Sequence, residues 1–183
     1  MTDVLLVVIH RVIGQNVNKR KIIMATIIEA PNYSMKLKDI NNTKLFLAGG
    51  ITNCEDWQKI MIKYLKNIDK LTIYNPRREN FPIDDKQAAL KQITWEYNAL
   101  HESSIILFWF CNTTLNPIVL YELGKWGNSS QYIPIFIGIE PGYKREEDVK
   151  IQTALARPKI KIVNNLKDLS LQIINHIKKG NKI

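Results

Sequence analysis

Ser104-Ile105-Ile106-Leu107-Phe108-Trp109-Phe110 is followed by a polar stretch, Asn112–Leu115, and then by Asn116-Pro117-Ile118-Val119-Leu120-Tyr121-Glu122-Leu123-Gly124-Lys125-Trp126. The first run is almost wholly apolar, the form taken by a central strand buried on both faces. The last reads as a helix, with Asn116 at the N-cap and Pro117 at the first helical position, where the missing N–H has no helical partner to lose. The following residues are apolar or aromatic on nearly all sides, which predicts a buried helix. One carboxylate, Glu122, interrupts it. An unpaired buried carboxylate costs several kcal/mol in rough terms. Glu122 therefore either pairs with a Lys or Arg at the edge of the core or has a chemical task.

The same strand–loop–helix unit recurs on either side. Leu45-Phe46-Leu47-Ala48 is a short strand that ends in Gly49-Gly50, and Thr52-Asn53-Cys54-Glu55 forms a capping box. The helix that follows carries Trp57, Ile60, Met61, Tyr64, Leu65 and Ile68 on one face. Leu71–Tyr74 is the second strand and leads into Asn75-Pro76-Arg77-Arg78. A helix from about Asp84 to His101 is expected to bury Leu90, Ile93, Tyr97 and Leu100. After the opening unit come a fourth strand at Tyr132–Ile137, a loop Gly138–Tyr143, a short helix at Glu146–Leu155, a fifth strand at Lys159–Val163 and an amphipathic closing helix at Leu166–Lys179. Alternating strands and helices with short connections predict one doubly wound α/β domain, a five-stranded parallel sheet with helices on both faces. The domain is expected over 24–183. Residues 1–23 read as an N-terminal extension: an accessory strand at Val4–Ile9, a mobile arm, or sequence upstream of a start at Met24.

The 183 residues carry a net charge of +9 and a sequence pI of about 9.5. The basic residues are mostly dispersed lysines without interleaved aromatics, so nucleic-acid binding ranks last among the functions considered. Cys54 and Cys111 suggest no disulfide framework, and with His10, His101 and His176 they give no metal-ligand spacing. No metal and no cofactor are expected. The longest apolar runs are too short to span a bilayer, and residues 1–15 lack the features of a signal peptide, which points to a soluble cytoplasmic protein.

In such folds ligands bind beyond the carboxyl ends of the strands, near the point where strand order reverses. Four segments leave those ends here: Gly49-Gly50-Ile51-Thr52, Asn75-Pro76-Arg77-Arg78, Asn112–Asn116 and Gly138–Tyr143. Gly49 and Gly50 permit close backbone approach to a ligand, although no G-x-G-x-x-G or Walker motif is present. Arg77 and Arg78 can clamp a phosphate or carboxylate, or form surface ion pairs. Glu96 lies at the border of the apolar face of its helix, as a second carboxylate or as a solvated one. Two carboxylates in one crevice suit chemistry at an acetal-like carbon, one attacking and the other handling a proton. The start of the Glu122 helix is expected to favour its ionised form against the opposing effect of burial.

Leu45–Ile51, Tyr74–Arg78, Gln92-Ile93-Thr94-Trp95-Glu96 and Pro117–Gly124 together resemble the nucleoside 2-deoxyribosyltransferase superfamily, in particular its 2-deoxyribosyltransferase-like branch. The resemblance spans about Met24 to Val163, and Pro141–Arg145 also looks like a loop of that branch. It implies a flavodoxin-like fold and cleavage of the N-glycosidic bond of a nucleoside or nucleoside 5′-monophosphate, with the sugar passed to another base or to water. It assigns Glu122 as the nucleophile and Glu96 as the acidic residue that assists departure of the base. Gly49, Gly50, Ile51, Asn75, Arg77, Arg78, Trp95 and Asn116 are the expected substrate-binding residues. It also implies a homodimer or larger ring. One position departs from the pattern: the transferases carry Asp six positions before the nucleophile, where this chain has Asn116. An amide neither supplies charge nor accepts a proton as a carboxylate does, which implies different orientation of sugar or nucleophile. A nucleotide-binding sensor that retains the fold without catalysis is the alternative.

Overall fold

The computed structural model describes residues 24–32, 41–82, 85–130 and 132–180. The expected N-terminal extension, 1–23, lies outside them. The strands are β1 (Thr26–Glu29), β2 (Thr43–Gly49), β3 (Leu71–Asn75), β4 (Ile105–Phe110) and β5 (Ile135–Ile139), and the helices are α1 (Trp57–Leu65), α2 (Ala88–Glu102), α3 (Pro117–Gly127), α4 (Glu146–Ala156) and α5 (Leu166–Gly180). The strands form one sheet in the order β1-β3-β2-β4-β5, every pairing parallel. This is a flavodoxin-like α/β arrangement. The chain moves outward from β2 to β3 on one side and to β4 on the other, so the strand order reverses between β2 and β4.

Strands β3 and β4 are buried at every residue, as their apolar sequences require. Leu45, Leu47, Ile73, Leu107 and Trp109 face one way and pack with Trp57, Met61 and Leu65 of α1 and Leu169 and Ile173 of α5. Phe46, Ala48, Ile106, Phe108 and Phe110 face the other way, against Trp95, Ala99 and Leu100 of α2, Val119 and Trp126 of α3 and Val149 of α4. Both faces are covered.

Four expectations about individual elements are corrected. The fifth strand is β1, not Lys159–Val163. The latter segment meets β5 only at a single bridge, Gly138 to Val163, because it follows α4 through a turn and aligns with the edge strand for two hydrogen bonds. Helix α2 is rotated from the expected phase. It buries Ala88, Gln92, Trp95, Ala99 and Leu100, while Leu90, Ile93 and Tyr97 are exposed. The largest ring sets this rotation: Trp95 packs against Phe46 and edge-on to Tyr74, and the small Ala99 permits close approach to the sheet. Helix α3 is likewise not buried all round, since Ile118 and Tyr121 are exposed. In addition, α1 is capped by Asp56, whose carboxylate accepts from the Lys59 amide at 3.0 Å, and not by Thr52.

Candidate active site

A cleft of about 380 Å³ opens at the carboxyl ends of β2 and β4, where the strand order reverses. Its size is within the range of small-molecule sites. Ala48, Gly49, Gly50, Ile51 and Thr52 form one wall, and Thr114, Asn116, Pro117, Ile118, Val119 and Glu122 form another. Phe46, Pro76 and Glu96 complete the lining. The two carboxylates, from α2 and α3, thus share one cleft with apolar walls. A separate cavity of about 220 Å³ lies between α3 and α4 and contains neither of them.

Burial raises the pKa of Glu122, and the neighbouring Glu96 raises it further; Lys125 opposes both, and the result is about 8. The expected depression by the start of α3 is therefore overridden. Among the described residues no salt bridge involves Glu122 or Glu96. Burial also raises Glu96, partly countered by a hydrogen bond from Gln92. Gln92 Nε2 donates to Glu96 Oε1 at 2.8 Å and to the Pro76 carbonyl at 2.7 Å, which fixes the Glu96 carboxyl relative to the end of β3. Glu122 thus holds its proton into the neutral range beside Glu96, whose proton affinity burial also raises, an arrangement of the kind found in acid–base and nucleophilic pairs.

The glycines are required by space. A Cβ on Gly49 would meet the Trp57 ring and the Trp109 carbonyl, and one on Gly50 would overlap Asn116 Oδ1 and the sulfurs of Cys54 and Cys111. The Gly50 carbonyl is held in turn by Trp57 Nε1 at 2.9 Å and Gln58 Nε2 at 3.4 Å.

Arg77 stands behind this wall. Its guanidinium donates to the carbonyls of Glu55 (2.8 Å), Cys54 (2.9 Å) and Ile51 (3.2 Å) and to Gln58 Oε1 (3.0 Å). Three of these contacts tie down the loop between β2 and α1 and the fourth reaches the Gln58 side chain of α1, so the guanidinium is fully engaged within the protein. Arg78 lies over the Phe81 ring, 5.3 Å from its centroid. Asn75 Oδ1 accepts from the Arg77 amide at 3.1 Å, and Trp95 Nε1 donates to the Asn32 carbonyl at 2.9 Å. None of these four residues is among those lining the cleft, whereas Glu122, Glu96, Gly49, Gly50, Ile51 and Asn116 all are.

Asn116 is buried and adopts a left-handed backbone conformation, φ 49° and ψ 53°, at the start of α3. Its Nδ2 donates to the carbonyls of Cys111 and Thr114, both at 2.9 Å. The side chain therefore makes no cap to α3 and organises the β4–α3 loop instead. Cys54 and Cys111 are brought together as a disulfide with Cα atoms 6.2 Å apart, a pairing their separation of 57 residues did not suggest. Thr52 and Thr114 line the cleft from two of the strand-end segments expected to border a ligand, though neither was among the expected binding residues, and Gln92 was not expected as the partner of Glu96. Its position four residues before Glu96, one helical turn, was the available signal.

Among the described residues no cluster of three or more His, Cys, Asp or Glu could hold a metal ion, and no helix is long and apolar enough to cross a membrane. A search of curated proteins finds no match to the chain. A family model described as "nucleoside 2-deoxyribosyltransferase like" matches residues 42–143, which is 102 of the 183 residues and includes the whole lining of the cleft. With β2 through α3 and both carboxylates inside that match, the chain belongs to the nucleoside 2-deoxyribosyltransferase-like family.

Proposed function

We propose that this protein cleaves the N-glycosidic bond of a deoxynucleoside or its 5′-monophosphate, with Glu122 as nucleophile and Glu96 as general acid. The observation that carries the reading is the convergence of these two carboxyls, both with raised proton affinity, in one cleft at the strand-order reversal. One Glu122 oxygen attacks C1′ as the bond to the base breaks, and Glu96 gives its proton to the departing nitrogen. The glycosyl ester is then opened by a second base, which gives transfer, or by water, which gives hydrolysis. The active form carries one proton on the pair, and Gln92 keeps Glu96 oriented to deliver it. Gly50 and Ile51 permit close approach of the sugar, and Ile118 and Val119 contribute apolar surface for a planar base.

The working unit is a homodimer. Leu90, Ile93 and Tyr97 of α2 and Ile118 and Tyr121 of α3 are exposed on neighbouring helices, linked by Lys125 of α3 over the Tyr97 ring at 4.8 Å. Ile118 is also part of the cleft, so a second copy seated there would border the substrate. Its place in metabolism would be nucleoside or nucleotide salvage.

Deoxynucleosides and their 5′-monophosphates, incubated with and without an acceptor base, test the reading. Free base that appears with wild type and falls by orders of magnitude with Glu122→Gln supports it, and a new nucleoside in the presence of acceptor establishes transfer. Equal release by both proteins removes Glu122 from the reaction. Asn116, whose amide binds loop carbonyls where the transferases have a carboxylate, favours one second reading, a nucleotide sensor. Thermal stabilisation by a nucleotide without turnover over hours would select it.

A further inference from the structure

Cys54 lies in the loop after β2 and Cys111 directly after β4, so the pair joins the two walls of the cleft at their base. Both residues are buried, and their Cα separation of 6.2 Å lies within the range that a disulfide spans without backbone movement. Both sulfurs also face one atom, Asn116 Oδ1, Cys111 at 3.3 Å and Cys54 at 3.8 Å. Gly50 packs directly on this group, since a Cβ there would meet all three atoms. Thr113 Oγ1 closes the cluster, donating to the Asn53 carbonyl at 2.6 Å.

The two redox states differ at Asn116. As thiols, the cysteines present S–H donors to its Oδ1. As a disulfide they present none, and a buried carbonyl oxygen loses its sulfur partners. The same amide binds the carbonyls of Cys111 and Thr114 through Nδ2 and packs on Gly50, so an adjustment of it would be passed to the β4–α3 loop and the Gly50 wall.

We propose that Cys54 and Cys111 are a reversible thiol–disulfide switch that acts on the cleft through Asn116 and Gly50, with the dithiol as the more active state. A low-molecular-weight disulfide such as oxidised glutathione is the oxidant. One protein thiolate attacks it and expels one glutathione thiolate; the second protein thiolate attacks the mixed disulfide at the protein sulfur and expels the other. The balance is one protein dithiol and one oxidised glutathione to one protein disulfide and two reduced glutathiones. The switch uses neither carboxylate and stands whether or not the cleft transfers sugars.

Glutathione buffers from fully reduced to fully oxidised, applied to the full chain, test it with three readouts. Mass spectrometry after alkylation is expected to show two modified cysteines at the reducing end and a Cys54–Cys111 cross-linked peptide, lighter by two hydrogens, at the oxidising end. Backbone amide resonances of Gly50, Asn116 and Val119 are expected to shift between the states, and those of α5 to stay. Turnover, where present, is expected to fall about threefold to tenfold on oxidation, the scale of one lost hydrogen bond, and to return with reductant. Cys111→Ser, which keeps a hydroxyl donor toward Asn116, is expected to be insensitive to the buffer. Cysteines that remain in one state throughout overturn the proposal, as does interconversion that leaves the Gly50 and Asn116 resonances unchanged. An absence of turnover in every buffer counts against the proposed reaction, and the resonances still decide the switch.

Discussion

Replacing Glu122 by glutamine is expected to stabilise the folded protein while abolishing its proposed chemistry. A carboxyl whose pKa rises from 4.5 to about 8 binds its proton more tightly in the folded state than in the unfolded one. Its contribution to stability is therefore fully present below pH 4.5 and is lost as pH rises through 8. The shift sets a ceiling of about 5 kcal/mol on that loss, at 1.36 kcal/mol per unit. Partial solvent contact and the interaction with Glu96 reduce the expected figure to roughly 1–3 kcal/mol. Glutamine has nearly the same shape and no charge, so it escapes the loss. Thermal unfolding of both proteins at pH 5 and pH 9 measures the difference. For a chain of this size the variant should melt about 3–9 °C above wild type at pH 9 and within about 2 °C of it at pH 5. Equal differences at the two pH values, or a variant that melts lower at pH 9, would refute the account of Glu122 as a buried carboxyl that is difficult to ionise.

The same pair is expected to set the pH dependence of the proposed turnover. If the active form carries one proton on Glu96 and Glu122 together, kcat/KM declines above about pH 8, where the pair loses its last proton. In Glu96→Gln the rate is lower and the alkaline decline disappears, which pH–rate profiles of the two proteins would show. Gly50→Ala should cost about 1–3 kcal/mol in chemical denaturation, because its methyl group meets Asn116 and both sulfurs. Arg77→Lys loses the fork that binds three carbonyls and Gln58 at once, and about 2 kcal/mol of stability with it. Faster proteolysis within residues 51–56 should accompany that loss.

Much of this architecture is legible in the chain because buried parallel strands are written as apolar runs. Leu45–Ala48, Leu71–Tyr74 and Ser104–Phe110 all form strands, and their carboxyl ends locate the cleft. Glu122 stands out because it is one carboxylate in an apolar helix. The errors arise where several apolar residues compete for one core. In α2 the periodicity of Leu90, Ile93 and Tyr97 is real, but Trp95 occupies the sheet-facing position and leaves that set outside. The pattern there describes a surface and not the core. β1 escaped notice because a four-residue edge strand carries little alternation, whereas Ile160 and Ile162 imitate one beside β5. Arg77 was legible as a cation at a strand end, but its partners are loop carbonyls, which no side-chain pattern reveals. The meeting of Cys54 and Cys111 depends on two loops that the reversal of strand order brings together, and it follows only from the topology.

The central claim is that Glu122 bonds to the sugar. A nucleoside carrying a 2′-fluorine in the arabino configuration tests this most directly, because the fluorine withdraws electrons from the oxocarbenium-like transition state and slows opening of the glycosyl ester. After incubation and digestion, mass spectrometry should find the fluoropentosyl group on the peptide containing Glu122, with one equivalent of base released, and no adduct on Glu122→Gln. Continuous release of base without an adduct, or an adduct on another residue that persists in Glu122→Gln, would contradict the account.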